Sequence, residues 1–210
     1  MLPLFIDMRL RKVVVFGGGQ VGLRKARFFA KEADVVVVSR HFCEGFDTSE
    51  VQIVEEDALE RLVEWVGWAD VVIACTDDDA VNSAIVNQAV ATGKLYNCSD
   101  GRSNFLIPSV VERDGYTVAI STFGRSPAMA KYLRTLLDEE LGPEHGRMVL
   151  LQETLREEAK RLIPDQKRRE QLLWDVLKDE RIWQLVREGE MKKAMTAARR
   201  RMVKGDGQDP

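Results

Sequence analysis

The segment VVVFGGGQVGLRKARFF, residues 13–29, constrains the fold more than any other part of the chain. An apolar run feeds into six residues, four of them glycine, and then into a helical pattern. Val13, Val14, Val15 and Phe16 suit a central strand buried on both faces. Gly17, Gly19 and Gly22 then fall on the Gly-x-Gly-x-x-Gly spacing. In that pattern the first glycine makes the tight turn, the second lets backbone approach a diphosphate, and the third lets the helix pack closely on the strand. The helix N-terminus that follows carries free N–H groups and a partial positive charge, suited to an anion. The helix reads apolar at Val21, Ala26, Phe28, Phe29 and Ala30, and a second strand follows at Val35–Val38, as a β-α-β unit requires. A nucleotide-binding α/β fold is the expectation, against the plainer alternative of a glycine-rich turn in some other α/β protein.

The alternation continues: a strand at Val51–Val54, a helix at Ala58–Val66, a strand at Asp70–Ala74, a helix at Asp79–Ala91 and a short strand at Leu95 and Tyr96. This is the rhythm of a doubly wound parallel sheet. After Asn104 the pattern changes. Phe105–Val111 and Tyr116–Thr122 read as strands around a turn at Glu112, Arg113, Asp114 and Gly115. Ser126 and Pro127 read as the N-cap and first-turn proline of a helix that Gly142 and Pro143 stop. From Glu144 the chain is rich in Glu, Lys, Arg, Leu and Met, which predicts three or four amphipathic helices broken near Pro164 and Gly189, with Trp174 and Trp183 in packing roles. The final GDGQDP is expected to fray. The expected domains are a nucleotide-binding domain over 1–104, a small α+β module over 105–143 and a helical domain over 144–210.

With 210 residues the chain can bury a real core, and a net charge of −3 from 31 basic and 34 acidic residues makes no global case for a nucleic-acid partner. Cys43, Cys75 and Cys98 are widely spaced and odd in number, which predicts neither a disulfide framework nor a structural zinc site. His41 and His145 are too far apart to form a local metal motif, so no metal-binding residues are expected. No apolar stretch approaches a membrane span and no signal-peptide pattern is present, so the expectation is a cytoplasmic protein without a membrane partner.

Together LPLFIDMRLRKVVVFGGGQVGLRKA, ACTDDDAVN, YNCSD, FLIPSVV and AISTFGRSPAMAKYLR, spanning Leu2–Arg134, resemble the precorrin-2 dehydrogenase and sirohydrochlorin ferrochelatase family, the siroheme synthase module. The resemblance implies a Rossmann-type parallel sheet, a small α+β dimerisation module and a helical C-terminal domain, with the active-site cleft formed at a homodimer. It implies NAD-dependent oxidation of precorrin-2 to sirohydrochlorin and, in some members, insertion of ferrous iron as a substrate to give siroheme. No tetrapyrrole methyltransferase domain follows, so the chain resembles the stand-alone form.

The expected cofactor residues are Gly17, Gly19, Gln20, Val21 and Gly22 in the glycine segment, Ser39, Arg40 and His41 after the second strand, and Thr76 after the strand ending at Ala74. A typical NAD fingerprint places Asp or Glu after the second strand. None stands there, and Arg40 would suit an NADP phosphate, so NAD and NADP both remain open although the resemblance favours NAD. Asp78 and Asp79 read as the cap and first turn of the next helix. By resemblance Asp100 aligns with the family's catalytic aspartate, a base for the proton lost when hydride departs and for the pyrrole protons displaced by a metal. From the residues alone, Asp100-Gly101 reads as turn chemistry.

Arg102, Ser121, Thr122, Arg125, Ser126 and Lys131 are expected to contact the anionic tetrapyrrole, with Arg113 and Arg134 adding positive charge in the same stretch. The plainer alternatives are solvated charges, a strand end and a helix cap. Two departures from the family pattern stand out: the run from Asn97 to Phe105 is short, and Phe123 occupies a position usually small or acidic. Competing readings are a dehydrogenase without chelatase activity and an NAD-sensing regulatory module that needs no base.

Overall fold

A computed structural model describes residues 1–204, which divide into two compact units meeting at Ile107 and Pro108. The expected fraying of GDGQDP lies outside the described residues.

The first unit is a five-stranded parallel sheet in the order β3-β2-β1-β4-β5. Its strands are β1 (Lys12–Phe16), β2 (Asp34–Ser39), β3 (Gln52–Glu55), β4 (Val71–Ala74) and β5 (Leu95–Cys98). Helices α1 (Gln20–Ala30), α2 (Leu62–Trp68) and α3 (Asp79–Ala91) connect them. β1 is flanked by β2 and β4, with Val14 opposite both Val36 and Val72. Two-residue alternation sends the central strands' side chains into two cores. Val13, Val15, Val35, Val37 and Ile73 pack with Ala26 and Phe29 of α1. Val14, Phe16, Val36, Val38 and Val72 pack with Trp65 and Val66 of α2 and Ile85 and Ala89 of α3. A strand buried on both faces has no polar side to show, hence the unbroken valine runs.

The second unit opens with the antiparallel hairpin β6 (Ser109–Arg113) and β7 (Tyr116–Ile120), followed by α4 (Pro127–Glu140), α5 (Pro143–Leu162), α6 (Gln166–Leu177), α7 (Glu180–Arg187) and α8 (Met191–Lys204). Tyr116 Oη and Arg113 Nε both donate to the Leu141 carbonyl, tying the hairpin to the end of α4. Leu151, Leu155, Val176, Ile182, Val186 and Ala198 form a closed core among α5–α8.

Several boundaries differ from the sequence expectation. The predicted strand at Phe105 starts only at Ser109, because Phe105 and Ile107 pack into the core beside α1 and Pro108 has no N–H to give a ladder. Pairing extends to Arg113 opposite Tyr116, which shortens the turn to Asp114-Gly115. α2 starts at Leu62 rather than Ala58, since the Asp57 carboxylate accepts the Leu59 amide at 2.9 Å and holds a turn there. Gly142 and Pro143 end α4 but also begin α5, as N-cap and first helical residue. Helix α1 begins at Gln20, so Gln20 and Val21 are helical; its buried face is Gly22, Leu23, Ala26 and Phe29, with Val21 and Phe28 turned outward. Trp174 is 59% exposed and does not pack as expected, whereas Trp183 borders the helical core and donates its indole N–H to the Leu177 carbonyl.

Candidate cofactor and active site

At the carboxyl ends of β1, β2 and β4 lies a cavity of about 540 Å³. An open parallel sheet receives ligands at this edge, where the chain leaves β1 toward one side and β4 toward the other. Gly17, Gly19, Gln20, Val21, Ser39, Arg40, His41 and Thr76 all line it.

The glycines divide into two kinds. Gly17 has φ +126°, and a Cβ there would lie 2.4 Å from the Cys75 carbonyl oxygen. A Cβ on Gly18 would lie 2.1 Å from the His41 oxygen, and one on Gly22 1.9 Å from the Gly17 oxygen. These three are required by the fold. Gly19 is different: its φ of −82° suits any residue and its Cβ would meet nothing within 4 Å. Nothing in the protein demands glycine there, but a ligand approaching the backbone would. Gly19 caps α1 without a side-chain acceptor, and the first helical turn contains no acid. The first α1 amide bonded back is Leu23 N–H, to the Gly19 oxygen at 2.9 Å, so the amides before it are available to an anion. This donor set fits a dinucleotide pyrophosphate.

Beyond β2, the Ser39 hydroxyl donates to the His41 carbonyl at 2.8 Å and shapes the turn. Arg40 Nε stands 3.9 Å from an Asp57 carboxylate oxygen, and Asp57 itself lines the cavity. A carboxylate from just beyond β3 thus stands beside Arg40 at the end of β2, which only the pairing of β2 with β3 reveals. Beyond β4, Asn82 of α3 is 3% exposed and holds Thr76 at both ends. Its Oδ1 accepts the Thr76 amide and hydroxyl, each at 2.9 Å, and its Nδ2 donates to the Thr76 carbonyl at 3.0 Å. The Asp78 carboxylate accepts from the Ala80 and Val81 amides and is the N-cap of α3, as expected. Burial pushes the Cys75 thiol up to about 11, so it lines the cavity as a neutral, unreactive group. Gly18, Asp57 and Asn82 were missed by the sequence reading. The run of three glycines was a signal for Gly18, but Asp57 acts through a contact distant in sequence and Asn82 through a turn that no residue pattern marks.

Asp100 and Arg102 are exposed on the loop leaving β5 and are not among the cavity's lining residues. Ser121, Thr122, Arg125, Ser126 and Lys131 belong to the second unit. There the Ser121 Oγ accepts the Phe123 amide, Thr122 Oγ1 donates to the Ser126 carbonyl, and Ser126 Oγ accepts the Met129 amide as the N-cap of α4. Each hydroxyl therefore has a local partner. Between them Phe123 has φ +54°, an uncommon conformation for an aromatic residue. Among the described residues no group of His, Cys, Asp and Glu could hold a metal ion, and no helix is long and apolar enough to cross a membrane.

Comparison with known proteins agrees with this geometry. A family model described as "Putative NAD(P)-binding" matches residues 4–109. A precorrin-2 dehydrogenase of Methanosarcina barkeri is 36% identical over 190 residues, covering 87% of this chain and 85% of that protein. A siroheme synthase of Photobacterium profundum is 34% identical over 88% of this chain but only 40% of its own length, so the chain corresponds to less than half of that larger protein. The solved structure of SirC, a precorrin-2 dehydrogenase, superposes with a TM-score of 0.73 over 94% of this chain at 23% identity, which establishes the shared fold. On its sequence, its glycine-lined sheet edge and its match along nearly the whole of a precorrin-2 dehydrogenase, this chain belongs to the precorrin-2 dehydrogenase and siroheme synthase family.

Proposed function

We propose that the protein oxidises precorrin-2 to sirohydrochlorin, with loss of one hydride and one proton from the tetrapyrrole. NAD, when bound, supplies the hydride acceptor. The observation that carries the reading is the unconstrained Gly19 before uncapped α1 amides, a pyrophosphate seat in a chain whose relative along most of its length is a precorrin-2 dehydrogenase. The α1 amides hold the phosphates, and Thr76, held by Asn82, lines the β4 side of the seat. Asp57 beside Arg40 favours a ribose 2′-hydroxyl over a 2′-phosphate, because its carboxylate accepts from the first and repels the second.

Asp100 takes the proton as hydride leaves. Arg102, Arg125 and Lys131 supply charge to the substrate carboxylates, and Ser121, Thr122 and Ser126 supply hydroxyls. Iron insertion into the product is a second activity of the same carboxylate, with ferrous ion as substrate and the pyrrole nitrogens as its ligands. The active protein is a homodimer formed through β7 and α4. α4 buries none of its residues within one chain and carries Met129, Tyr132 and Leu136 exposed at helical spacing. Its setting is the cytoplasm, in keeping with three free thiols.

The test is anaerobic turnover of precorrin-2 with NAD, followed by the tetrapyrrole spectrum, then addition of ferrous iron, each repeated with Asp100→Ala. NAD-dependent sirohydrochlorin formation that collapses in the variant is expected. No turnover with either dinucleotide despite tight binding would replace the enzyme by a nucleotide sensor.

A further inference from the structure

Lys25 lies outside the cavity lining, yet it is built into the fold in an unusual way. It sits in the second turn of α1, about 7.5 Å along the axis from Gln20 at 1.5 Å per residue. Its Nζ donates to Asn97 Oδ1 at 2.9 Å and to Ser99 Oγ at 3.0 Å, at the end of β5 and the first residue beyond it. Burial, with a smaller contribution from Arg24, draws its ammonium below the ordinary lysine range, and the carboxylate of Asp100 acts in the opposite direction. Among the described residues Lys25 makes no ion pair. A partly buried cation satisfied only by neutral oxygens is costly for the fold, and such a cost persists where the arrangement serves something else.

What it holds is the root of the Asp100 loop. The chain leaves β5 at Cys98 and returns at Asn104, whose amide donates to the Tyr96 carbonyl at 3.1 Å. The returning limb is pinned to β5 again where the Tyr96 amide donates to Asn104 Oδ1 at 2.7 Å, the Cys98 amide donates to Ser103 Oγ at 3.0 Å, and Asn97 Nδ2 donates to the Phe105 carbonyl at 3.1 Å. The outgoing limb at Ser99 has its own amide on the Ala74 carbonyl and its hydroxyl on Lys25. Asp100, Gly101 and Arg102 stand exposed at the tip. Asn97 joins both limbs, since its oxygen receives Lys25 and its amide nitrogen binds the returning limb.

We infer that Lys25 is a positioning residue that ties the Asp100 loop to the helix whose N-terminus seats the dinucleotide phosphates. The inference rests on the role proposed above for Asp100, but its structural half stands apart from it. One rigid helix then sets both the phosphate seat and the placement of the base, so the distance between cofactor and proton acceptor does not depend on a free loop.

The experiment compares full-length Lys25→Met and Lys25→Arg with wild type in two measurements. Hydrogen exchange is followed at the Cys98, Ser99 and Asn104 amides without cofactor, and kcat and KM are measured for NAD and precorrin-2. In Lys25→Met, exchange at these amides accelerates at least tenfold and kcat falls at least tenfold, with KM for NAD within threefold of wild type. Lys25→Arg, which keeps charge and donors, restores most of both. Unchanged exchange in Lys25→Met overturns the inference, as does a fall in kcat with the loop still protected, which would mean that Lys25 touches substrate itself. If the wild type fails to oxidise precorrin-2, the proposed function falls, and the exchange measurement alone upholds or overturns the anchoring of the loop.

Discussion

Four glycines within six residues look alike in the sequence, but a methyl group added to each meets different surroundings. Gly18→Ala drives a Cβ into the His41 carbonyl and is expected to destabilise the protein by ~2–4 kcal/mol in chemical denaturation. Gly19→Ala places its Cβ in open space at an ordinary φ. It should leave the denaturation midpoint within about 0.5 kcal/mol of wild type while weakening NAD binding tenfold or more, read by fluorescence titration. Equal loss of stability in both variants would remove the argument for a ligand at Gly19. Asp57 and Arg40 define the opposite end of the cavity. Asp57→Asn removes the repulsion of a 2′-phosphate and frees Arg40, so the ratio of NADP to NAD affinity should rise about tenfold, or ~1.4 kcal/mol. A ratio that stays constant would show that neither residue reads the ribose. The glycine spacing was legible because it is local. Asp57 was not, since it lies eighteen residues beyond Ser39 and reaches the cavity only through the pairing of Ser39 with Glu55.

At the level of elements, caps and turns account for most boundaries. Asp78, Ser126, Asp165 and Asp179 each accept backbone amides at the start of a helix. Ser126-Pro127 was readable from sequence because both signals are adjacent. The break at Lys178 and Asp179, which separates α6 from α7, was not, since no glycine or proline marks it. Asp179 does two jobs there: its carboxylate accepts the Arg181 amide at 3.0 Å and, from α8, the Arg201 guanidinium at 2.6 Å. Burial works to raise its pKa, but the Arg201 hydrogen bond and the Ile182 amide outweigh it, and the net shift is downward from 3.8. A carboxyl lowered in the folded state stabilises above its unfolded value, and that contribution is lost as pH falls through the folded one. Asp179→Ala should therefore cost ~1–2 kcal/mol at pH 7, and its deficit relative to wild type should shrink once pH drops below about 4. Urea denaturation at pH 7 and pH 3 measures this, and an equal deficit at both would assign the effect to packing instead.

For the whole molecule, the second unit presents a surface that its own chain leaves uncovered. Met129, Tyr132 and Leu136 share one side of α4, and the proposed homodimer covers them. Tyr132→Glu is expected to convert a dimer to a monomer in sedimentation equilibrium without shifting the far-ultraviolet circular dichroism, while a wild-type protein that sediments as a monomer would refute the dimer. By itself the sequence determined the α/β class, the strand and helix order of the first unit, the glycine turn and the family. Those features depend on residue periodicity and on steric rules acting over a few neighbours. Only the tertiary structure decided which glycines serve the fold and which leaves room for a ligand. It alone showed that Asn82 holds Thr76, that Asp57 joins the cofactor cavity, and that Lys25 grips the root of the Asp100 loop across seventy-four residues. The Asn82 contact is made across the turn from β4 to α3, whereas those of Asp57 and Lys25 arise from strand order, which places together side chains whose separation along the chain carries no signal of their meeting.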